Sequence, residues 1–125
     1  MTNREILKRR ILIIDDEQSV RDTLSRALSF DGHSVVTAAS GPEALTLFEP
    51  GKFHLVITDF TMPGMTGEQV AAEIKSRAPS QPVVAVTGHI ENLHRTPVRG
   101  LDGYIGKPFS LADLREMIER YSAVV

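Results

Sequence analysis

At the ends of several short apolar runs this chain carries groups that could handle a metal ion or a phosphate. Asp15-Asp16-Glu17 follow Ile11-Leu12-Ile13-Ile14, and Thr58-Asp59 follow Leu55-Val56-Ile57. Thr87-Gly88 follow Val83-Val84-Ala85-Val86, and Lys107-Pro108 come soon after Tyr104-Ile105. If these runs are parallel strands, their carboxyl ends form one edge, and open parallel sheets bind ligands beyond that edge. Asp15, Asp16 and Asp59 gathered there would repel one another until a proton or a cation relieved the repulsion. Hard oxygen donors suit Mg2+ or Mn2+, ions that keep several waters and can accept a phosphate oxygen. Lys107 adds a positive charge on a flexible stem. A carboxylate in such surroundings either holds the metal or attacks phosphorus as a nucleophile. The second role needs in-line positioning and charge neutralisation, which a metal, a lysine and the Thr87 hydroxyl around one aspartate would supply.

The elements that must position these groups are legible in the apolar pattern. Continuous runs of β-branched and aliphatic residues suit strands buried on both faces, as in a parallel sheet. Val35-Val36 and Tyr104-Ile105 are weaker runs of the same kind. Amphipathic stretches lie between them. Val20, Leu24, Ala27 and Leu28 share one helical face, and Asp31-Gly32 stops that helix. Ser40-Gly41-Pro42-Glu43 reads as a capping box before Ala44, Leu45 and Phe48, with Pro50-Gly51 ending the run. Thr66 and Gln69 form a second box before Val70 and Ile74, and Ser110 and Asp113 a looser third before Leu114, Met117, Ile118 and Tyr121. The stretch from Ile90 to Arg99 contains Pro97 and only scattered apolar residues, which predicts a short or irregular helix. Strict alternation of strands and helices predicts βαβ units, and hence a parallel sheet with helices on both faces.

Composition sets the bounds. Of 125 residues, 42% are hydrophobic and 24% charged, enough for the core of one globular domain over residues 1–125. A net charge of −2 and a pI near 6.1 offer no basic face for nucleic acid, and Lys8-Arg9-Arg10 reads as a solvated lip before the first strand. No apolar run is long enough to cross a bilayer, and Ile11–Ile14 is too short for a signal-peptide core. The absence of cysteine fits a reducing compartment. The expectation is a cytoplasmic protein with no direct contact to nucleic acid or membrane. Taken singly, Asp15 and Asp16 read as acids at a helix start, Asp59 as a loop acid before Met62-Pro63-Gly64, Lys107 as a solvated lysine and Thr87 as an ordinary strand-end residue. Only the combination reads as a site. His33, His54, His89 and His94 lack zinc spacing, and Met62 and Met65 read as packing residues.

Four motifs occur in order: Ile11-Leu-Ile-Ile-Asp15-Asp16-Glu17, Leu55-Val-Ile-Thr-Asp59-Phe-Thr-Met-Pro63-Gly-Met-Thr-Gly67, Ala85-Val-Thr87-Gly88 and Tyr104-Ile-Gly-Lys107-Pro108-Phe109. Through them the chain resembles response-regulator receiver domains of two-component and phosphorelay signalling, from about Arg10 to Tyr121. The resemblance implies a flavodoxin-like doubly wound α/β fold, with five parallel strands in the order 2-1-3-4-5. It implies that Asp59 is the phosphoacceptor, forming a 4-aspartylphosphate. Asp16 would ligate Mg2+ directly, Asp15 directly or through water, and the backbone carbonyl of Thr61 would be a further ligand. Thr87 would bond a phosphoryl oxygen, Lys107 would pair with the phosphate, and Tyr104 would be the aromatic switch that turns inward with Thr87. Lys107-Pro108 would be a cis peptide. The implied partners are a histidine kinase or histidine phosphotransfer protein and a downstream output domain or protein. The chain departs from the family in the shortened, Pro97-containing stretch between Thr87 and Lys107. Thr61 and His89 occupy positions that often tune dephosphorylation.

Such a domain is a regulatory phosphoacceptor with self-catalysed phosphotransfer, not a turnover enzyme. The alternative is a receiver-like protein-interaction module that is never phosphorylated, and the intact set of Asp15, Asp16, Asp59, Thr87 and Lys107 argues against it. A Mg2+-dependent aspartyl phosphatase would usually carry a second acid two residues after its nucleophile, where this chain has Thr61. No Gly-rich phosphate loop follows the first run, which disfavours nucleotide binding.

Overall fold

Ile11, Leu12, Ile13 and Ile14 are all buried, although neighbouring strand residues point to opposite faces, so their strand needs cover on both sides. The computed structural model, described over residues 8–88 and 100–122, shows that cover. In chain order the elements are β1 (Arg10–Ile14), α1 (Gln18–Phe30), β2 (Ser34–Ala38), α2 (Gly41–Leu47), β3 (Leu55–Asp59), α3 (Gly67–Arg77), β4 (Val83–Thr87), β5 (Gly103–Gly106) and α4 (Leu111–Tyr121). The strands form one parallel sheet in the order β2-β1-β3-β4-β5, the expected doubly wound arrangement. His89, His94, Pro97 and the short helix anticipated around them lie outside the described residues.

Alternation along the strands divides the core in two. Leu12, Ile14 and Val56 pack with Ala44, Val70 and Ile74 under α2 and α3. Ile11, Ile13, Leu55, Ile57 and Val84 pack with Leu24, Leu28, Leu114 and Ile118 under α1 and α4. Met62 is buried in the first cluster with Met65 against it, as packing residues should be. Each large aliphatic side chain buried in this way contributes about 1.5–3 kcal/mol. Arg115 of α4 grips Asp31 at the end of α1 through two hydrogen bonds, Nε to Oδ2 at 2.8 Å and Nη2 to Oδ1 at 2.9 Å. Among the described residues no helix is long and apolar enough to cross a membrane.

The helix ends follow the local signals, with two differences. Thr66 with Gln69 and Ser110 with Asp113 form reciprocal capping boxes. Gly32, at φ 92°, closes α1, with its N–H and that of His33 bonded back to Ser29 and Leu28. At α2, Ser40 does accept the Glu43 N–H, but the Glu43 carboxylate reaches past Ser40 to the Ala39 N–H at 2.6 Å. The same helix stops at Leu47, short of Pro50-Gly51. Phe48 turns extended there, and its buried ring stacks on Phe53 with centroids 6.3 Å apart. Burying that aromatic pair outweighs another residue or two of helix.

At the amino edge of the sheet two buried histidines flank the start of β1. Nδ1 of His33 accepts the Arg9 N–H and Nδ1 of His54 accepts the Arg10 N–H, both at 2.9 Å. An accepting nitrogen carries no proton. Burial holds both imidazoles below the usual range, with Asp31 partly opposing it at His33 and Arg10 and Arg9 reinforcing it at His54. The folded chain therefore binds fewer protons than the unfolded one, and this stability is present above the ordinary value of 6.5 and lost as pH falls below it. His33→Asn/His54→Asn, whose Oδ1 atoms can accept the same bonds without titrating, should show a flatter decline of Tm on mild acidification than wild type. Parallel Tm curves for the two proteins would show that the histidines carry none of the acid sensitivity.

Candidate functional site

Strand register gathers the site. Ile14 pairs with Thr58, which sets Asp15 beside Asp59. Asp59 pairs with Val86, so Thr87 is one step further along, and Thr87 pairs with Gly106, which Lys107 follows. Carboxylate oxygens of Asp15, Asp16 and Asp59 come within 4.8 Å of one another, and among the described residues no other cluster of three or more His, Cys, Asp or Glu has such spacing. Asp15 and Asp59 are 2% and 8% exposed, Thr87 is buried and Asp16 is exposed. Tyr104 is half-buried on β5, and Thr61 is exposed in the loop after β3.

The loops hold this edge tightly. Phe60 N–H bonds the Val86 carbonyl at 3.0 Å, which continues the β3–β4 pairing past Asp59. Gly64 takes φ 77° after Pro63, so the chain reverses and brings α3 back. Gly67 N–H then closes on the Phe60 carbonyl at 3.1 Å. A Cβ at Gly67 would strike the Asp59 carbonyl oxygen and lie 2.9 Å from Phe60 Cα, so only glycine lets α3 begin there. Thr61 N–H approaches Asp59 Oδ1 at 3.4 Å. Across the sheet, Lys107 N–H bonds the Thr87 carbonyl at 2.8 Å, and the Lys107-Pro108 peptide is cis, as the resemblance implied.

Asp15 also does the structural job open to any acid before a helix. Its Oδ1 accepts the Glu17 N–H at 2.9 Å, while Glu17 itself makes no side-chain cap. Sequence reading missed Arg21, whose Nη1 donates to the Asp15 carbonyl at 2.8 Å. The available signal was a cation in the first turn of a helix, where the macrodipole disfavours it.

Electrostatics here depend on burial. It pushes the Asp59 carboxyl up to about 6; the Asp15 charge adds to the effect, while Lys107 and the Thr61 N–H oppose it. The Asp15 carboxyl is raised as well, by burial first, against the Glu17 N–H and Lys107. Three close carboxylates, two of them buried and reluctant to ionise, form an all-oxygen donor set that a hard divalent cation fits.

The chain is similar to known proteins over most of its length. The family model described as the response regulator receiver domain matches residues 11–119. The response regulator MprA of Mycobacterium sp. (strain KMS) is 36% identical over 107 residues, covering 84% of this chain and 46% of its own length. A probable transcriptional regulator, ycf27 of Cyanophora paradoxa, is 39% identical over 116 residues, covering 91% of this chain and 48% of its own. The chain thus spans about half the length of these curated relatives. Among solved structures, the response regulator TrrA of Thermotoga maritima in complex with Mg2+-BeF matches with a TM-score of 0.80 at 33% identity, over 89% of this chain and 96% of that one. The chemotaxis protein CheY4 of Vibrio cholerae matches with a TM-score of 0.83 at 29% identity, over 92% and 99%.

The raised Asp59 carboxyl makes the folded, metal-free chain bind more protons than the unfolded one between 3.8 and about 6. Its contribution to stability is full below 3.8 and lost as pH rises through about 6. Asp59→Asn should therefore raise the metal-free Tm at neutral pH, by about 3 °C for roughly 1 kcal/mol after solvent screening. Mg2+ should then stabilise wild type more than the variant. Equal Tm values for the two proteins from acid to neutral pH would contradict the strained carboxylate.

Proposed function

The chain belongs to the response regulator receiver family, and from that premise we propose that it is a signalling switch phosphorylated on Asp59. Receiver domains are regulatory phosphoacceptors. The observation that carries the reading is the convergence of Asp15, Asp16 and Asp59 at one sheet edge under the charge of Lys107. An Asp59 oxygen attacks the phosphorus of a phosphohistidine on a histidine kinase or histidine phosphotransfer protein. The O–P bond forms as the P–N bond breaks, and the imidazole nitrogen keeps the electron pair and takes a proton from water. Lys107 favours the ionised nucleophile beforehand and pairs with the phosphoryl group afterwards. The Thr87 hydroxyl donates to a phosphoryl oxygen. Mg2+, or Mn2+ in its place, held by Asp15, Asp16, Asp59 and the Thr61 carbonyl, would neutralise charge on the transferred group.

The added charge gives the two conformations of the switch different energies. Thr87 moves toward the phosphoryl group and Tyr104 turns inward behind it. Tyr104 lines a shallow groove with Met117 and Arg120 of α4, so its motion alters a surface that an output domain or protein can read. A second, apolar groove of about 440 Å³ between α1 and α4 is lined by Val20, Leu24, Lys107, Phe109 and Leu111, and offers a donor protein a surface that adjoins the site.

Intact mass after incubation with acetyl phosphate and Mg2+ tests the phosphoacceptor. Wild type should gain one phosphoryl group, and Asp59→Asn or added EDTA should abolish the gain. An equal gain in Asp59→Asn, or none in wild type with either acetyl phosphate or a phosphorylated histidine phosphotransfer protein, would sink the reading. Thr87→Ala should still accept the group but leave NMR shifts around Tyr104 near their unphosphorylated values. Shifts matching phosphorylated wild type would break the proposed coupling.

A further inference from the structure

Arg21 is a cation on the wrong end of a helix. It is the fourth residue of α1, in the turn where the macrodipole is positive and basic side chains are disfavoured. The first turn holds no acid that would compensate, and the N-cap Glu17 makes no side-chain cap. Arg21, half-buried as a residue, instead turns its guanidinium back and donates through Nη1 to the Asp15 carbonyl at 2.8 Å.

That bond completes a three-point hold on Asp15. Its N–H reaches the Ala38 carbonyl at 3.1 Å, its Oδ1 takes the Glu17 N–H at 2.9 Å, and its carbonyl takes Arg21. The carbonyl belongs to the peptide unit joining Asp15 to Asp16. Because that unit is planar, fixing its oxygen fixes the direction in which the chain leaves for Asp16. Asp16 itself is exposed between the end of β1 at Ile14 and the start of α1 at Gln18, and the next anchor is Glu17, whose N–H bonds Asp15 and whose carbonyl accepts the Arg21 N–H at 3.1 Å.

We propose that Arg21 is a positioning residue for the cation site, clamping the Asp15–Asp16 peptide so that the Asp16 carboxylate stays within sharing distance of Asp15 and Asp59. The inference rests on the reading that these three carboxylates hold a divalent ion. Arg21 acts through the backbone and touches neither the ion nor the phosphoryl group. Partners that orient metal ligands from outside are typically worth ten-fold or more in affinity.

The test is a Mn2+ titration of the full chain, read by loss of the free-ion EPR signal. Arg21→Met keeps the stem and removes the donors, and should weaken binding about ten-fold. Arg21→Lys, which retains one donor, should recover most of the loss. In an Asp16→Asn background the same Arg21→Met change should have almost no effect, because the ligand it positions is gone. Binding by Arg21→Met equal to wild type would overturn the proposal. So would the same fold-loss in both backgrounds, which would mean that Arg21 supports the fold and not Asp16. If Arg21→Met fails to fold, Arg21→Gln takes its place in the cycle. Failure of wild type itself to bind Mn2+ would remove the cation site and this inference together, whereas an indifferent Arg21→Met beside a binding wild type would remove the inference alone.

Discussion

Three carboxylates with oxygens within 4.8 Å of one another repel, and two of them are also cut off from water. Left alone, such a cluster would spread apart or take up protons, as the raised Asp59 and Asp15 carboxyls show. The fold can hold it only because the backbone beneath does not give way. Asp59 ends a strand buried along its whole length, and Asp15 follows one in which Ile11 to Ile14 are all buried. The hydrophobic burial of two core layers is what opposes the repulsion at the edge.

The loops show the same constraint at atomic scale. Gly67 lets α3 start against the Asp59 carbonyl, and the Phe60 bonds to Val86 and Gly67 fix the backbone behind Asp59. Lys107 is tied to Thr87 through its own N–H, which links the two strands that deliver the positive charge and the hydroxyl. The amino edge of the sheet is fastened differently, with imidazole nitrogens from His33 and His54 accepting the first N–H groups around β1. The chain is thus pinned by neutral acceptors at one edge and carries charge, and the capacity to change it, at the other.

Asp15 illustrates why structural and chemical roles need not compete. Its carboxylate shapes the start of α1 through the Glu17 N–H while standing among the candidate metal ligands. One residue can serve both because a carboxylate has two oxygens with several acceptor directions. The first bond also limits how the side chain can turn, which favours a prearranged ligand over a mobile one.

Much of this was legible in the sequence because it is local. Unbroken apolar runs announced strands buried on both faces, Thr66 with Gln69 and Ser110 with Asp113 announced helix starts, and Pro63-Gly64 announced a turn. The acids, the threonine and the lysine could be placed at strand ends because a strand's end is a property of its own segment. Individual contacts between distant segments could not be read. The Phe48–Phe53 stack shortened α2, and Glu43 chose the Ala39 N–H over that of Ser40. The tasks of Arg21, His33 and His54 were hidden because each bonds a main-chain group, and main-chain groups leave no mark in residue identity. The sequence by itself determined which residues carry the charge and which elements end in them. Only the tertiary structure decided that Ile14 lies opposite Thr58 within the strand order the resemblance implied, because register is set by how whole faces of the sheet pack, and that one pairing brings Asp15 to Asp59.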